Sequence, residues 1–341
     1  MSIELAQIAE AIDHLITAPM SNWTILKGIP LGVLYAASRN RAGKPLTLAA
    51  SELLAKRVGQ GDRVLVVSGF IIRDYGLPET DGPIGAAVLA RALALGFGAV
   101  PIGVSEASVL PCLEACFASA GLIPAAADAL ARGRNRCAFV DFPVDVSAAR
   151  PAARRILDQF DPKAIIAVER PGAGRDGEYH GGGGFEISSF TAKTDLLFAL
   201  AQERGIATIG IGDLGNELGM GVVAPEVRAH VPMGETIAAE LAADVAVVAN
   251  ISNWGAYGVA ACLAAMLGND AIFHDGREEL RLIDACVAAG AIDPVGGQRR
   301  AWVDGTDANT NAAMVDLLRS VVVLSQREKV NIDDYRSSWK S

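Results

Sequence analysis

The sequence predicts an α/β protein: a doubly wound, mainly parallel sheet with helices on both faces, in three layers. Three observations point there. Short apolar runs alternate with longer segments of helical period, the pattern of parallel strands buried on both faces and joined by helices. The chain is 51% hydrophobic but only 6% aromatic, so small aliphatic residues and glycine fill the interior, which suits close packing of helix on sheet. Several apolar runs also end abruptly in polar residues, as strands do when their carboxyl ends share one working rim.

Taken in order, residues 1–20 read as an amphipathic helix followed by a turn around Pro19. Residues 24–60 are mixed, with a helix expected over 48–57. Strands are expected at 63–68, 99–104, 137–141, 164–169, 207–211 and 245–249, where β-rich apolar runs are bounded by polar or glycine residues. Helices are expected at 83–96, 106–121, 147–159, 191–204, 234–242, 254–268, 278–289 and 309–325. Pro83 stands at or near the first position of its helix, where a missing N–H costs nothing. No internal repeat or long linker interrupts the pattern. The expected organisation is an N-terminal helical extension over 1–60 packed on the main domain, an α/β catalytic domain over 61–326, and a polar tail over 327–341.

Composition excludes several classes. The formal net charge is -9 and no run of Lys and Arg occurs, so nucleic acid is not an expected partner. No uncharged apolar run reaches the ~18 residues of a membrane span. Glu4, Glu10 and Asp13 break any basic-then-apolar leader pattern, so a cytoplasmic protein is expected. The five cysteines form no CxxC and read as small buried hydrophobes in a reducing compartment. His14, His180, His230 and His274 form no HxH or HExxH pair, so zinc is not expected, and neither is haem. There is no GxSxG elbow and no P-loop. The apolar helices permit a homo-oligomer without demanding one.

The most informative segment is Ile206-Ala-Thr-Ile-Gly-Ile-Gly-Asp-Leu-Gly-Asn-Glu-Leu-Gly-Met-Gly221. It begins as a buried strand and becomes a loop carrying Asp213, Asn216 and Glu217 among glycines that allow tight turns and close approach. Its Gly210-x-Gly212-x-x-Gly215 spacing matches the dinucleotide fingerprint. The acidic residue due about 20 positions later is missing, however, and Asp213 would repel a pyrophosphate, so NAD is not expected. Three further segments belong to the same rim. Glu79-Thr-Asp-Gly-Pro83 offers Glu79 and Asp81 as a carboxylate pair, with Asp81 also able to serve as a plain helix cap. Glu169-Arg-Pro-Gly-Ala-Gly-Arg-Asp-Gly-Glu-Tyr179 offers Glu169, with Arg170 or Arg175 as a two-pronged receiver of a carboxylate. Asn250-Ile-Ser-Asn-Trp-Gly255 offers Asn253, as cap or as orienting amide. The glycines at 181–184 read as a mobile lid hinge. A cation bound by this set has oxygen ligands, which suits Mn²⁺, Mg²⁺ or Ca²⁺.

Together these segments resemble the D-glutamate cyclase C-terminal-domain family, long known as a domain of unknown function. The matching pieces are Glu79-Thr-Asp-Gly-Pro83, Glu169-Arg-Pro-Gly172 with Asp176-Gly177-x-Tyr179, the glycine-rich stretch from Gly210 to Gly221, and Ser252-Asn-Trp-Gly255. They occur in the family's order over roughly residues 60–320. The chain departs from the pattern at Leu214, where glycine is usual, and at His180-Gly-Gly-Gly-Gly184. The resemblance implies a cyclase that makes 5-oxo-D-proline from D-glutamate, or from a related small amino acid, with loss of water. It places Asp213, Glu217, Glu79 and Asp81 in metal binding or proton transfer, with Asp213 and Glu217 as the metal pair and Mn or Mg as the ion. Glu169, Arg170, Tyr179, Asn216, Asn253, Gly212 and Gly215 are expected around the substrate, with Arg170 gripping the α-carboxylate. A metal-dependent racemase or lactam hydrolase, and a non-catalytic amino-acid or nucleotide sensor, are the alternatives.

Overall fold

The computed structural model describes residues 3–20 and 28–326. Its strands, in chain order, are β1 (Arg63–Ser68), β2 (Ile71–Ile72), β3 (Leu77–Pro78), β4 (Val100–Ser105), β5 (Ile123–Pro124), β6 (Arg136–Asp141), β7 (Ala164–Val168), β8 (Ala207–Gly212), β9 (Val245–Val248), β10 (Trp302–Val303) and β11 (Thr306–Asp307). Seven of them form one sheet in the order β5-β6-β4-β1-β7-β8-β9, and every neighbouring pair is parallel. β2–β3 and β10–β11 are small antiparallel pairs outside it.

Alternation along β1 divides the core. Val64 and Val66 belong to one apolar cluster with the helices Pro83–Phe97 and Ser252–Leu267. Leu65 and Val67 belong to another with the helices Val146–Phe160 and Thr194–Glu203. A strand whose successive side chains point to opposite faces must be apolar throughout when both faces are covered. β1 is therefore apolar from Val64 to Val67, and the result is the expected three-layer α/β architecture.

The first face is the thicker one because the N-terminal helices join it. Ile12, Ile16, Leu34, Leu46, Leu48 and Leu54 are buried in the same cluster as the 83–97 helix. Asp13 ties three of these helices together. It accepts from the backbone N–H groups of Leu46 and Thr47, from the Thr47 hydroxyl and from the Tyr35 hydroxyl. The Ser38 hydroxyl donates 2.6 Å to the Ala246 carbonyl of the edge strand β9, so the edge is covered rather than left open to pairing.

Three expectations are corrected. The stretch over 24–60 contains two helices, Leu31–Ala42 and Leu46–Arg57, rather than one; residues 21–27 lie outside the described residues. The helix Ala224–His230 was not anticipated. The helix expected over 234–242 stops at Ile237. Past that point the backbone turns to the glycine-rich loop: Ala239 donates to the Gly215 carbonyl and Ala243 to the Gly219 carbonyl, while Gly221 donates to the Leu241 carbonyl. The polar tail over 327–341 lies outside the described residues. Among the described residues no helix is long and apolar enough to cross a membrane.

Candidate active site

From β1 the chain winds out through β4 to β6, then returns to place β7 on the other side of β1. The carboxyl ends of β1 and β7 therefore flank the point where the winding reverses, and open α/β sheets bind ligands in the crevice at such a point. A cavity of about 260 Å³ lies there, lined by Glu79, Asp81, Glu169, Asp213, Asn216 and Asp304 together with an apolar wall that includes Phe70, Ile71, Ile187 and Leu214.

Asp81, Glu169 and Asp213 each offer an oxygen, and these oxygens lie within 4.8 Å of one another. Each comes from a different strand end. Asp81 sits just before the 83–97 helix, yet it caps a different one. Its Oδ2 accepts from Ser252 N at 2.9 Å and its Oδ1 from Asn253 N at 2.8 Å, so the carboxylate lies on the positive end of the 252–267 helix. Asn253 returns the exchange: its Oδ1 accepts from Gly82 N at 2.9 Å and Gly85 N at 2.7 Å, at the start of the 83–97 helix. Glu169 holds a φ of +42°, a left-handed conformation that is rare and strained for a residue with a side chain. Its Oε2 accepts from the Ser252 hydroxyl at 2.5 Å. Asp213 follows β8 and is partly open to the cavity.

Crowding acids in a buried site makes their charge costly. Burial, opposed by backbone hydrogen bonds from Asn253, Ser252 and Gly82, leaves the Asp81 carboxyl pushed up to about 7. Burial first, then the charges of Glu217, Asp81 and Glu79, pushes Glu169 well above the ordinary range. Burial, then Glu169, Asp304 and Glu217, does the same for Asp213. Glu79, also buried on the cavity wall, is raised by burial and by Asp81, Asp304, Glu217 and Asp293.

A family model described as "D-glutamate cyclase-like, C-terminal" matches residues 32–319. The chain belongs to that family. Human "D-glutamate cyclase, mitochondrial" is 43% identical over 100 residues, which is 29% of this chain. The match spans only 16% of the human protein's own length. A solved structure titled "Crystal structure of gox2181" aligns at 13% identity with a TM-score of 0.27, covering 80% of this chain and 93% of that one; a likeness this distant carries no argument.

Within this D-glutamate cyclase-like chain, the remaining expected site residues other than Asn216 surround the cavity without lining it. Glu217, expected as half of the metal pair, is fully buried and spends both oxygens on its own loop. Oε1 accepts from Asp213 N and Leu214 N, and Oε2 from Gly215 N at 2.7 Å. It shapes the turn that presents Asp213, and Gly212 leaves it room, since a Cβ there would fall 2.5 Å from Glu217 Oε2.

Arg170, expected to grip a substrate, is fully buried. Its Nη1 lies 2.6 Å from Glu106 Oε2 and also donates to the Gly69 carbonyl, Nη2 donates to the Ala192 carbonyl, and Nε donates to Thr194 Oγ1. It braces the loop after β1. Asn253 is consumed by capping, with Nδ2 donating to the Thr80 carbonyl. Tyr179 packs behind Phe70 and Ile187, with the Lys193 ammonium 4.5 Å from its ring centre. Asn216 does line the cavity, held by Nδ2 donating to the His180 carbonyl at 3.0 Å.

Asp304 and Arg73 are among the cavity residues that were not anticipated. Asp304 lies between β10 and β11 in Asp304-Gly305, a pair that reads as a hairpin turn. Buried Asp293 fixes that turn by accepting from Gly305 N at 2.8 Å. Arg73 lies between β2 and β3, in a segment where no strand-end signature draws attention.

Proposed function

We propose that this protein is a D-glutamate cyclase-like lyase, joining the α-amine of D-glutamate or a related small amino acid to its γ-carboxylate and releasing water. The observation that carries this reading is the group Asp81, Glu169 and Asp213, converging within 4.8 Å on a small cavity in a chain of this family. The cavity volume falls just below the ~300–1,000 Å³ of drug-sized sites, a fit for an amino acid and not for a dinucleotide.

Asp81, Glu169 and Asp213 are the residues that would hold a divalent cation, Mn²⁺ or Mg²⁺. The donor set fits: all oxygen, carboxylate-rich, with burial and neighbouring acids raising the cost of leaving it uncompensated. Such a cation, when bound, withdraws charge from a carboxylate oxygen and makes the attached carbon a better electrophile.

The chain's own residues supply the rest. Ring closure forms one N–C bond and breaks one C–O bond; the ammonium gives up two protons and the departing oxygen leaves with them as water. Glu79, whose carboxyl holds its proton above the ordinary range, faces the cavity and serves as the acid for that oxygen. Asp304, on the same wall, is the carboxylate for the amine's proton. Asn216, with Nδ2 spent on the His180 carbonyl, keeps Oδ1 to orient the amine. The same site run backwards would hydrolyse a lactam.

Proton NMR in D₂O tests the proposal, with D-glutamate, L-glutamate and both 5-oxoprolines as separate samples, with and without Mn²⁺. The expected result is 5-oxo-D-proline from D-glutamate in the Mn²⁺ sample, with Glu79→Gln lowering the rate by roughly 10²–10⁴-fold. Deuterium entering Cα without ring formation would point to a racemase instead. Silence in all four samples, with and without Mn²⁺, would sink the cyclase reading.

A further inference from the structure

An amino-dicarboxylate entering this cavity meets Glu79, Asp81, Glu169, Asp213 and Asp304, with Asp74 at the mouth. A divalent cation on the three-carboxylate group answers for one substrate carboxylate. The second still needs positive charge, and Arg170 cannot give it because its guanidinium is sealed against Glu106 and backbone carbonyls. Among the described residues lining the cavity, the cationic side chain is Arg73.

We propose that Arg73 receives the α-carboxylate of the substrate and thereby selects ligands that carry a second carboxylate. The inference rests on the reading above and adds to it the residue that discriminates. Three observations support it. The Arg73 guanidinium carbon lies 4.0 Å from the centre of the Phe185 ring, and a guanidinium packed on an aromatic ring keeps its edge donors for an in-plane partner. Its present partner is weakly held: Nε donates to Asp74 Oδ1 at 2.9 Å and Nη2 lies 2.8 Å from the same oxygen. The Asp74 side chain is 69% exposed, so solvent screens this pair and a substrate carboxylate exchanges for it at little cost. Finally, Phe185 directly follows the glycines at 181–184, of which three line the same cavity. The contact between Arg73 and Phe185 thus joins the β2–β3 hairpin to the glycine loop across the mouth. A carboxylate drawn to Arg73 is held under that join, with its amine directed inward to the acids.

The test is calorimetric titration of the Mn²⁺-loaded full chain, wild type and R73Q, with D-glutamate and with 4-aminobutyrate, which keeps the amine and the distal carboxylate but lacks the α-carboxylate. R73Q is expected to weaken D-glutamate binding roughly ten- to hundred-fold, the scale of a lost charge-assisted hydrogen-bond pair. It is expected to leave 4-aminobutyrate, Mn²⁺ affinity and the melting temperature unchanged. R73K, a point charge without the fork, is expected to recover part of the D-glutamate affinity. Equal loss for both ligands, or no loss for D-glutamate, overturns the assignment and leaves the cyclase reading standing. A wild-type protein that binds Mn²⁺ but neither ligand overturns both.

Discussion

Glu169 and Arg170 are neighbours in sequence with opposite duties. Glu169 opens onto the cavity, while Arg170 disappears into the wall beside it. Their position after an apolar strand was legible, because a charged pair ending a buried run marks a strand's carboxyl end. Which of the two would face a ligand was not. That depends on the left-handed turn at Glu169 and on Glu106, brought in from the end of β4, sixty-four positions away in sequence. Replacing Arg170 by methionine leaves Glu106 buried without its cation, a change that costs about 3–5 kcal/mol. Urea unfolding of Arg170→Met should show that loss. A variant as stable as wild type would mean that the guanidinium is not the brace described. Asp304 was missed for a related reason: an Asp-Gly pair carries its own sufficient explanation as a turn, and nothing local shows that the turn folds back over the rim.

At the scale of elements, the helices that start at Pro83 and at Ser252 cap each other, one through Asp81 in the loop before its own helix and the other through Asn253 in its first turn. Asp81 serves the second and Asn253 the first. The exchange locks two helix starts into one rigid corner and fixes Asp81 where it faces Glu169 and Asp213. Asn253→Ala removes the acceptor for two backbone N–H groups, so a destabilisation of about 1–2 kcal/mol is expected. Thermal unfolding would show it, along with weaker Mn²⁺ binding if the corner positions Asp81. Strands with strong apolar runs were readable almost to the residue, as β1 was, since both-face burial leaves no polar position to blur the ends. The helix at 31–42 escaped notice because its buried positions are only Leu31, Leu34 and Ser38, too few to display a period. β5, two residues at the sheet edge with both exposed and one of them proline, is too short to display an alternation.

For the whole molecule, the acidic site sets how stability responds to pH. Glu79, Asp81, Glu169 and Asp213 all bind protons more tightly folded than unfolded. At these four groups the folded state holds more protons, so their contribution to stability falls as pH rises. For Asp81 the contribution is complete below the ordinary value of 3.8 and is lost as pH climbs through about 7. Metal-free protein should melt at a higher temperature near about pH 6 than near about pH 8, and Mn²⁺ should raise the melting temperature more at the higher pH, where the carboxylates are free to bind it. Differential scanning calorimetry in EDTA and in Mn²⁺ would test both. A melting temperature that rises with pH in EDTA would show that these acids are not the dominant titrating groups.

The turn at Glu169 has a bearing on how this chain would change under selection. A residue held at positive φ costs of order 1–3 kcal/mol, and glycine or asparagine occupies that conformation more cheaply. A variant library sorted for heat resistance alone should therefore gather those two residues at position 169 early, trading a cavity carboxylate away for a sturdier protein.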